Sequence, residues 1–194
     1  MLFRSSHRWT YPWAVYKLGL CYEIVGNREK AEYYYNLVDE DDNERAYNIA
    51  QDRLEEPVND IERSIINNRN KSDCGNHQVA LNTFNEMQYN IEMQKDKDLH
   101  KELLEVKFEI GKINFELKKY SEAIANLREV VDDESIDDDR LLSWAHYYLG
   151  NCYKETGDIE EALEEYDNAS DTEDMGLLSR INKAVQNIDV ENDH

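Results

Sequence analysis

The sequence is poor in residues that interrupt helices or crosslink a chain. Its 194 residues include 2 prolines, 7 glycines and 3 cysteines. Cys21, Cys74 and Cys152 are too few and too scattered for a disulfide framework, which indicates a reducing compartment, and we predict a cytoplasmic protein. No apolar run approaches the roughly 18 residues of a membrane span, so we do not expect an integral membrane protein.

Basic residues are scarce relative to acidic ones. The chain has 22 Lys and Arg against 43 Asp and Glu, a formal charge of −21. This charge repels phosphate backbones and anionic lipids, so we expect neither nucleic acid nor a membrane as partner. The acidic runs at 39–42 and 132–139 lack the glycine and ordered spacing of an EF-hand loop. We interpret them as solvated loops and predict no metal and no cofactor.

Motifs for catalysis are also missing. The sequence has no phosphate-binding glycine loop, no zinc-protease motif and no nucleophile elbow, and its five histidines are not paired at ligand spacing. We predict Cys21 and Cys152 to be small buried residues and Cys74 to be an incidental exposed cysteine. The sequence therefore favours a chain that is not an enzyme.

What the sequence does contain is apolar residues at helical spacing. The 13 Tyr, 4 Phe and 3 Trp supply more aromatic surface than a disordered chain carries. Apolar residues three and four apart recur in windows of about 11–15 residues, which predicts short amphipathic helices joined by short turns. The dominant element is therefore the α-helix.

The helical windows repeat. Residues 16–22 (YKLGLCY) and 147–153 (YYLGNCY) align without gaps. In three copies a glycine and an alanine stand 12 residues apart, with a large residue four after the alanine, a spacing that predicts close packing of two antiparallel helices. The three pairs are Gly19 with Ala31, Gly111 with Ala123, and Gly150 with Ala162.

The ends of the helices are also repeated. Gly26 and Gly157 stand where the first helix of a pair should end in a left-handed cap, and Asn27 and Asp158 where the second should begin. A fourth, degraded copy keeps only part of this pattern. Its residues are Gly75, Ala80 and Phe84.

These residues resemble the tetratricopeptide repeat family, in the Leu-Gly-x-x-Tyr segments at Leu18 and Leu149 and the Ala-x-x-x-Tyr segments at Ala31 and Ala162. The resemblance implies an all-α fold, a right-handed superhelical α-solenoid of antiparallel helix hairpins. We expect a lead-in over 1–11, a first repeat plus a following helix over 12–57, and a degenerate helical repeat over 58–98 with a polar loop at 67–76. Two repeats over 99–176 and a capping helix with a tail over 177–194 complete the predicted organisation.

The resemblance also implies that the first helix of each pair lines a concave groove that receives a peptide. An alternative is that the rings at these positions pack against residues 45–100 and fill the groove. Carried over by alignment, the groove positions are Trp13, Tyr16, Leu20, Glu23, Glu105, Phe108, Lys112, Phe115, Trp144, Tyr147, Asn151 and Lys154.

We therefore predict a non-enzymatic scaffold that binds a protein or peptide segment. The groove has few of the cations that a carboxylate clamp needs, so we expect a partner that is basic or mixed in charge, with apolar anchors. The alternative is a structural or oligomerising fragment of a longer repeat array without its own ligand. Leu2, Phe3, Trp9 and Tyr11 favour a homodimer or an N-terminal docking partner.

Overall fold

A computed structural model describes residues 11–94 and 99–192, with side chains through residue 188. Within these ranges the chain is helical and has no strand, which confirms the predicted all-α fold. Apart from Tyr11, the predicted lead-in lies outside the described residues. The helices are α1 (Tyr11–Ile24), α2 (Arg28–Tyr35), α3 (Glu44–Glu55), α4 (Asp60–Asp73), α5 (His77–Gln94), α6 (His100–Glu116), α7 (Tyr120–Val131), α8 (Asp139–Thr156), α9 (Ile159–Ala169) and α10 (Met175–Asn192).

The chain divides into two compact units, residues 1–67 and 68–194. In the first unit, α1 packs on α2 and both contact α3. In the second, each of α5 to α8 packs on the helix that follows it, and α6 also contacts α8. The helix α10 packs on α8 and α9, as a capping helix would.

The repeated glycines occupy equivalent places in three hairpins. A Cβ added at any of them would lie 2.6–2.8 Å from the large side chain of the facing helix and 3.1–3.4 Å from the carbonyl oxygen of the paired alanine. Only a residue without a side chain permits this approach. The contacts are Gly19 with Tyr35, Gly111 with Leu127, and Gly150 with Tyr166.

Left-handed glycines end the first helices as predicted. Gly26 and Gly157 have φ values of 79° and 89°, a region that glycine enters at little cost. The side chain of Asn27 accepts a hydrogen bond from the Lys30 amide at 3.2 Å, as an N-cap should. Asp158 is the N-cap of α9, also as predicted, although its carboxylate makes no capping hydrogen bond and accepts from the Thr156 hydroxyl at 2.6 Å instead.

The middle hairpin makes the same turn without a glycine. Lys118 has a φ of 59°, and its amide donates to the Phe115 carbonyl at 2.8 Å. We expect Lys118→Gly to raise the free energy of unfolding by about 1 kcal/mol, because the left-handed region strains a side chain. Thermal unfolding should show an increase in Tm of about 2–4 °C. Lys119→Gly, at a φ of −93°, is the control and should not stabilise the protein. Equal effects of the two variants would contradict the strained left-handed conformation of Lys118.

The polar segment 67–76, predicted as a loop, is helical through Asp73, so this prediction is wrong. The segment packs through polar contacts instead of an apolar face. Arg69 pairs with two carboxylates of α6, and Ser72 Oγ lies 3.1 Å from His77 Nδ1. Asn68 is buried at the place where the other copies have glycine. Only residues 74–76 form a turn.

The cysteines correct a second expectation. Cys152 is buried as predicted, and burial raises the pKa of its thiol to about 12. Cys74 is exposed, also as predicted. Cys21 is exposed, although its repeat position matches that of Cys152, because it lies on the outward face of α1. The prediction of a buried Cys21 is therefore wrong.

Candidate functional site

A cavity of about 300 Å³ opens between the end of α4, helix α6 and the first half of α8, within the unit of residues 68–194. Four of the predicted groove residues line it, namely Glu105, Phe108, Lys112 and Trp144. The lining also includes six residues that the prediction did not contain. These are Arg69, Glu109, Asp138, Arg140, Leu141 and Tyr148.

One side of the cavity is an ion-pair network centred on Arg69. Its Nε donates to Glu109 Oε1 and its Nη2 to Glu105 Oε1, both at 2.6 Å. Glu109 is 1% exposed. Burial alone would lower the pKa of Arg69. The charges of Glu109 and Glu105 outweigh this effect, so the net shift of the Arg69 pKa is upward. The guanidinium therefore stays charged and forms an ion pair with each of the two carboxylates beside the cavity.

The other side of the cavity is aromatic. The Tyr148 ring meets the Phe108 ring edge-on at 6.0 Å between centroids and the Trp144 ring at 6.1 Å. Burial, and next the charge of Glu116, raise the pKa of the Tyr148 phenol. The guanidinium of Arg180, from α10, lies 5.9 Å from the Trp144 ring. Contacts from three sides thus fix these rings before any ligand arrives.

Four other predicted groove residues lie outside this cavity. The Tyr147 and Tyr166 rings are 6.2 Å apart, and Asn151 Oδ1 accepts from the Tyr166 hydroxyl at 2.9 Å. Phe115 packs against Tyr120. Lys154 is half-buried on the last turns of α8. The contacts of Tyr147, Asn151 and Phe115 join the two helices of their hairpins.

The predicted groove positions of α1 are largely used in packing. Glu23 is 3% exposed, and its carboxylate accepts from the Tyr35 hydroxyl and Arg28 Nη1 at 2.6 Å each and from the Val58 amide at 3.2 Å. Tyr16 is buried in the core of the first unit. These contacts correct the expectation that Tyr16 and Glu23 line an open groove, and they favour the packing alternative for this repeat.

The remaining two α1 positions are half-buried. The Trp13 ring contacts the Tyr16 ring edge-on at 5.9 Å, and Leu20 packs against the same core. Neither residue lines the cavity between α4, α6 and α8. We therefore confine the candidate site to α4, α6 and α8.

Two signals in the sequence point to three of the six residues that the prediction omitted. Glu109 and Tyr148 share one repeat position, two residues before the glycine of their helices, next to the positions that were carried over. Arg69 occupies the same position as Lys112 when the degraded copy is extended back from Gly75. The register of the repeat identifies these positions, but only the folded chain shows that they share a cavity.

A second surface feature is an apolar stripe on α1. Its residues recur at helical spacing and are all exposed, with Leu18 at 41% and Val25 at 74%. The stripe consists of Tyr11, Ala14, Leu18, Cys21 and Val25. In α8, which α7 covers, the counterparts of its three middle residues are 0% exposed. Those counterparts are Ala145, Leu149 and Cys152.

Comparisons with known proteins match the two hairpins that flank the cavity. Residues 104–132 and residues 143–171 each match a family model described as a tetratricopeptide repeat. No curated protein matches the chain. Within the described ranges, no helix is both long and apolar enough to cross a membrane, and no group of three His, Cys, Asp or Glu side chains is placed to hold a metal ion.

Proposed function

Because residues 104–132 and 143–171 are tetratricopeptide repeats, we propose that the chain is a non-enzymatic interaction scaffold whose α4–α6–α8 cavity receives a segment of another protein. Repeats of this family generally mediate contacts between proteins. The proposal adds that this chain does so as a cytoplasmic protein, through the cavity and not through α1.

The observation that carries the proposal is the aromatic wall of the cavity. Trp144 and Tyr148 are only half-buried although contacts hold their rings in place. Tryptophan and tyrosine dominate binding hot spots, because they contribute large contact area and lose little side-chain entropy on binding. A preformed aromatic wall beside fixed charges is suited to an apolar anchor flanked by polar groups.

The charge of the chain bears on the partner. With a formal charge of −21, long-range attraction favours a segment that is basic or mixed in charge. Rim charges chiefly change the rate of encounter and are screened by salt. We therefore expect affinity to fall between low and physiological ionic strength, whereas a salt-independent affinity would contradict this part of the proposal.

The experiment is an affinity capture from lysate followed by quantitative mass spectrometry on three proteins. These are the wild type, Trp144→Ala and the matched control Trp13→Ala, which changes the same repeat position in α1. We expect Trp144→Ala to lower the recovery of partners at least about tenfold, equivalent to about 1.4 kcal/mol, and Trp13→Ala to leave it unchanged. Circular dichroism verifies that both variants fold. Equal partner recovery for all three proteins would contradict the proposal.

A second candidate function rests on the α1 stripe. Its counterparts in α8 are covered by a neighbouring helix, so an amphipathic helix of the same kind could cover α1. This favours the structural or oligomerising role, with a second copy of the chain or an N-terminal docking partner on the stripe.

Leu18→Asp tests the second copy as the occupant. Leu18 lies in the middle of the stripe, so a charge there should disrupt an interface that buries it. We expect sedimentation velocity at about 50 μM to show a wild-type dimer and a monomeric variant. The control is Leu163→Asp, at a similarly exposed leucine of α9. A monomeric wild type would exclude the homodimer.

A further inference from the structure

The ion-pair network around the cavity is complete except at one atom. Glu109 Oε2 is buried and has no hydrogen-bond partner among the described residues. Lys112 Nζ forms an ion pair with this atom at 3.6 Å, a distance too long for a hydrogen bond. A carboxylate oxygen buried without a donor costs free energy, so this atom favours any ligand that brings one.

Most other charged groups around the cavity have hydrogen-bond partners, whereas Nε of the exposed Arg140 lies 4.0 Å from Asp174 Oδ2. Arg69 donates to two carboxylates, and Lys112 Nζ lies 3.3 Å from Asp73 Oδ1. Asp138 Oδ1 accepts from the Leu141 amide at 2.9 Å. Two buried polar atoms of the cavity lining have no hydrogen-bond partner within the described part of the chain, Glu109 Oε2 and the indole Nε1 of Trp144. The one that carries charge is the Glu109 acceptor, so the ligand that complements its charge is a cationic donor.

The shape and the aromatic wall narrow the donor further. A cavity of about 300 Å³ is at the small end of ligand sites, so it suits one side chain and not a folded segment. Trp144 and Tyr148 both line it, with their ring centroids 6.1 Å apart. A guanidinium stacks on aromatic rings while it donates in its own plane, and it loses less hydration than an ammonium.

We propose that the cavity is an arginine subsite, in which an arginine side chain of the partner segment donates to Glu109 Oε2 beside the Trp144 and Tyr148 rings. This inference rests on the proposed function, because it names one residue of the segment that the scaffold binds. It adds a requirement that the scaffold role alone does not make, namely discrimination between a charged and a neutral side chain of the same shape.

The test is an NMR titration of the full chain with Nα-acetyl-arginine methylamide, followed at the indole signal of Trp144. The citrulline counterpart of the probe keeps the shape and removes the charge. We expect saturable shifts with the arginine probe and at least about tenfold weaker binding of the citrulline probe. Equal responses to the two probes, or no shift of the Trp144 signal, would overturn the inference.

Variants assign the contact to Glu109. Glu109→Gln should abolish the preference for arginine over citrulline, whereas Glu116→Gln, an exposed carboxylate of the same helix, should keep it. If Glu109→Gln does not fold, Leu141→Trp is the second variant. It narrows the cavity without changing its charge, and it should weaken binding of the arginine probe. If the folded Glu109→Gln protein still bound the arginine probe more tightly than the citrulline probe, the proposed contact with Glu109 would be contradicted.

Two further comparisons distinguish free arginine from a protein segment as the ligand, and the arginine subsite from the scaffold function. Free L-arginine that binds more tightly than the blocked amide would indicate a metabolite and contradict a protein segment as the source. Trp144-dependent capture of partners together with equal binding of the two probes would overturn the arginine subsite alone. Discrimination between the probes without Trp144-dependent capture would overturn the scaffold function and leave an arginine-binding cavity.

Discussion

Glu23→Ala is expected to lower the free energy of unfolding by about 3–5 kcal/mol, because it removes one partner of a buried ion pair. The variant leaves the Tyr35 hydroxyl and the Val58 amide buried without an acceptor, and it leaves Arg28 without its buried partner. Urea unfolding followed by circular dichroism measures the loss.

Glu32→Ala is the matched control for this prediction. Glu32 pairs with the same Arg28, at 2.8 Å, but its side chain is about half exposed. A surface pair of this kind contributes little, so the control should change stability by less than about 1 kcal/mol. Equal effects at Glu23 and Glu32 would show that the buried network does not hold the first unit together.

Gly150→Val is expected to lower the free energy of unfolding by about 3 kcal/mol. A Cβ there would lie 2.8 Å from the Tyr166 ring and 3.1 Å from the Ala162 carbonyl oxygen, so α8 and α9 would have to separate. Ala125→Val places the same side chain on an exposed face of α7 and should cost less than about 1 kcal/mol. A loss below about 1 kcal/mol at Gly150 would contradict the close contact of the two helices.

The hairpins could be predicted from the sequence because their requirements are local. A glycine faces a large side chain at a fixed spacing, and a second glycine ends the helix in the left-handed region. Both demands depend on residue type within about 20 positions. The spacing between Gly19 and Tyr35 in the sequence therefore predicts the contact that these two residues make in the folded chain.

The second half of α4, residues 67–73, could not be predicted as helix, because its stabilising contacts are distant in sequence and polar. Arg69 pairs with Glu105 and Glu109, 36 and 40 residues further along the chain. Hydrophobic periodicity detects a helix by its apolar face, so it gives no signal for a helix that packs through ion pairs. The proposed arginine subsite depends on the same contacts, so periodicity could not predict it either.

The predictions for Tyr16 and Cys21 of α1 were wrong for a different reason. Alignment places Tyr16 beside Tyr147 and Cys21 beside Cys152, but a repeat position does not fix what covers it. In the first unit a core that includes Ala46 and Ala50 of α3 buries Tyr16, whereas Cys21 lies on the exposed stripe. Equivalent sequence therefore gave equivalent backbone and different surroundings.

Every groove position was counted from the repeat glycines, so the contact between Gly150 and Tyr166 is the claim to test. The measurement is a double-mutant cycle of Gly150→Ala and Tyr166→Ala, by urea unfolding in an osmolyte that keeps all four proteins folded. Gly150→Ala should destabilise the wild type by about 1–2 kcal/mol, yet stabilise the Tyr166→Ala protein by up to about 1 kcal/mol through its higher helix propensity. The same effect of Gly150→Ala in both backgrounds would contradict the account.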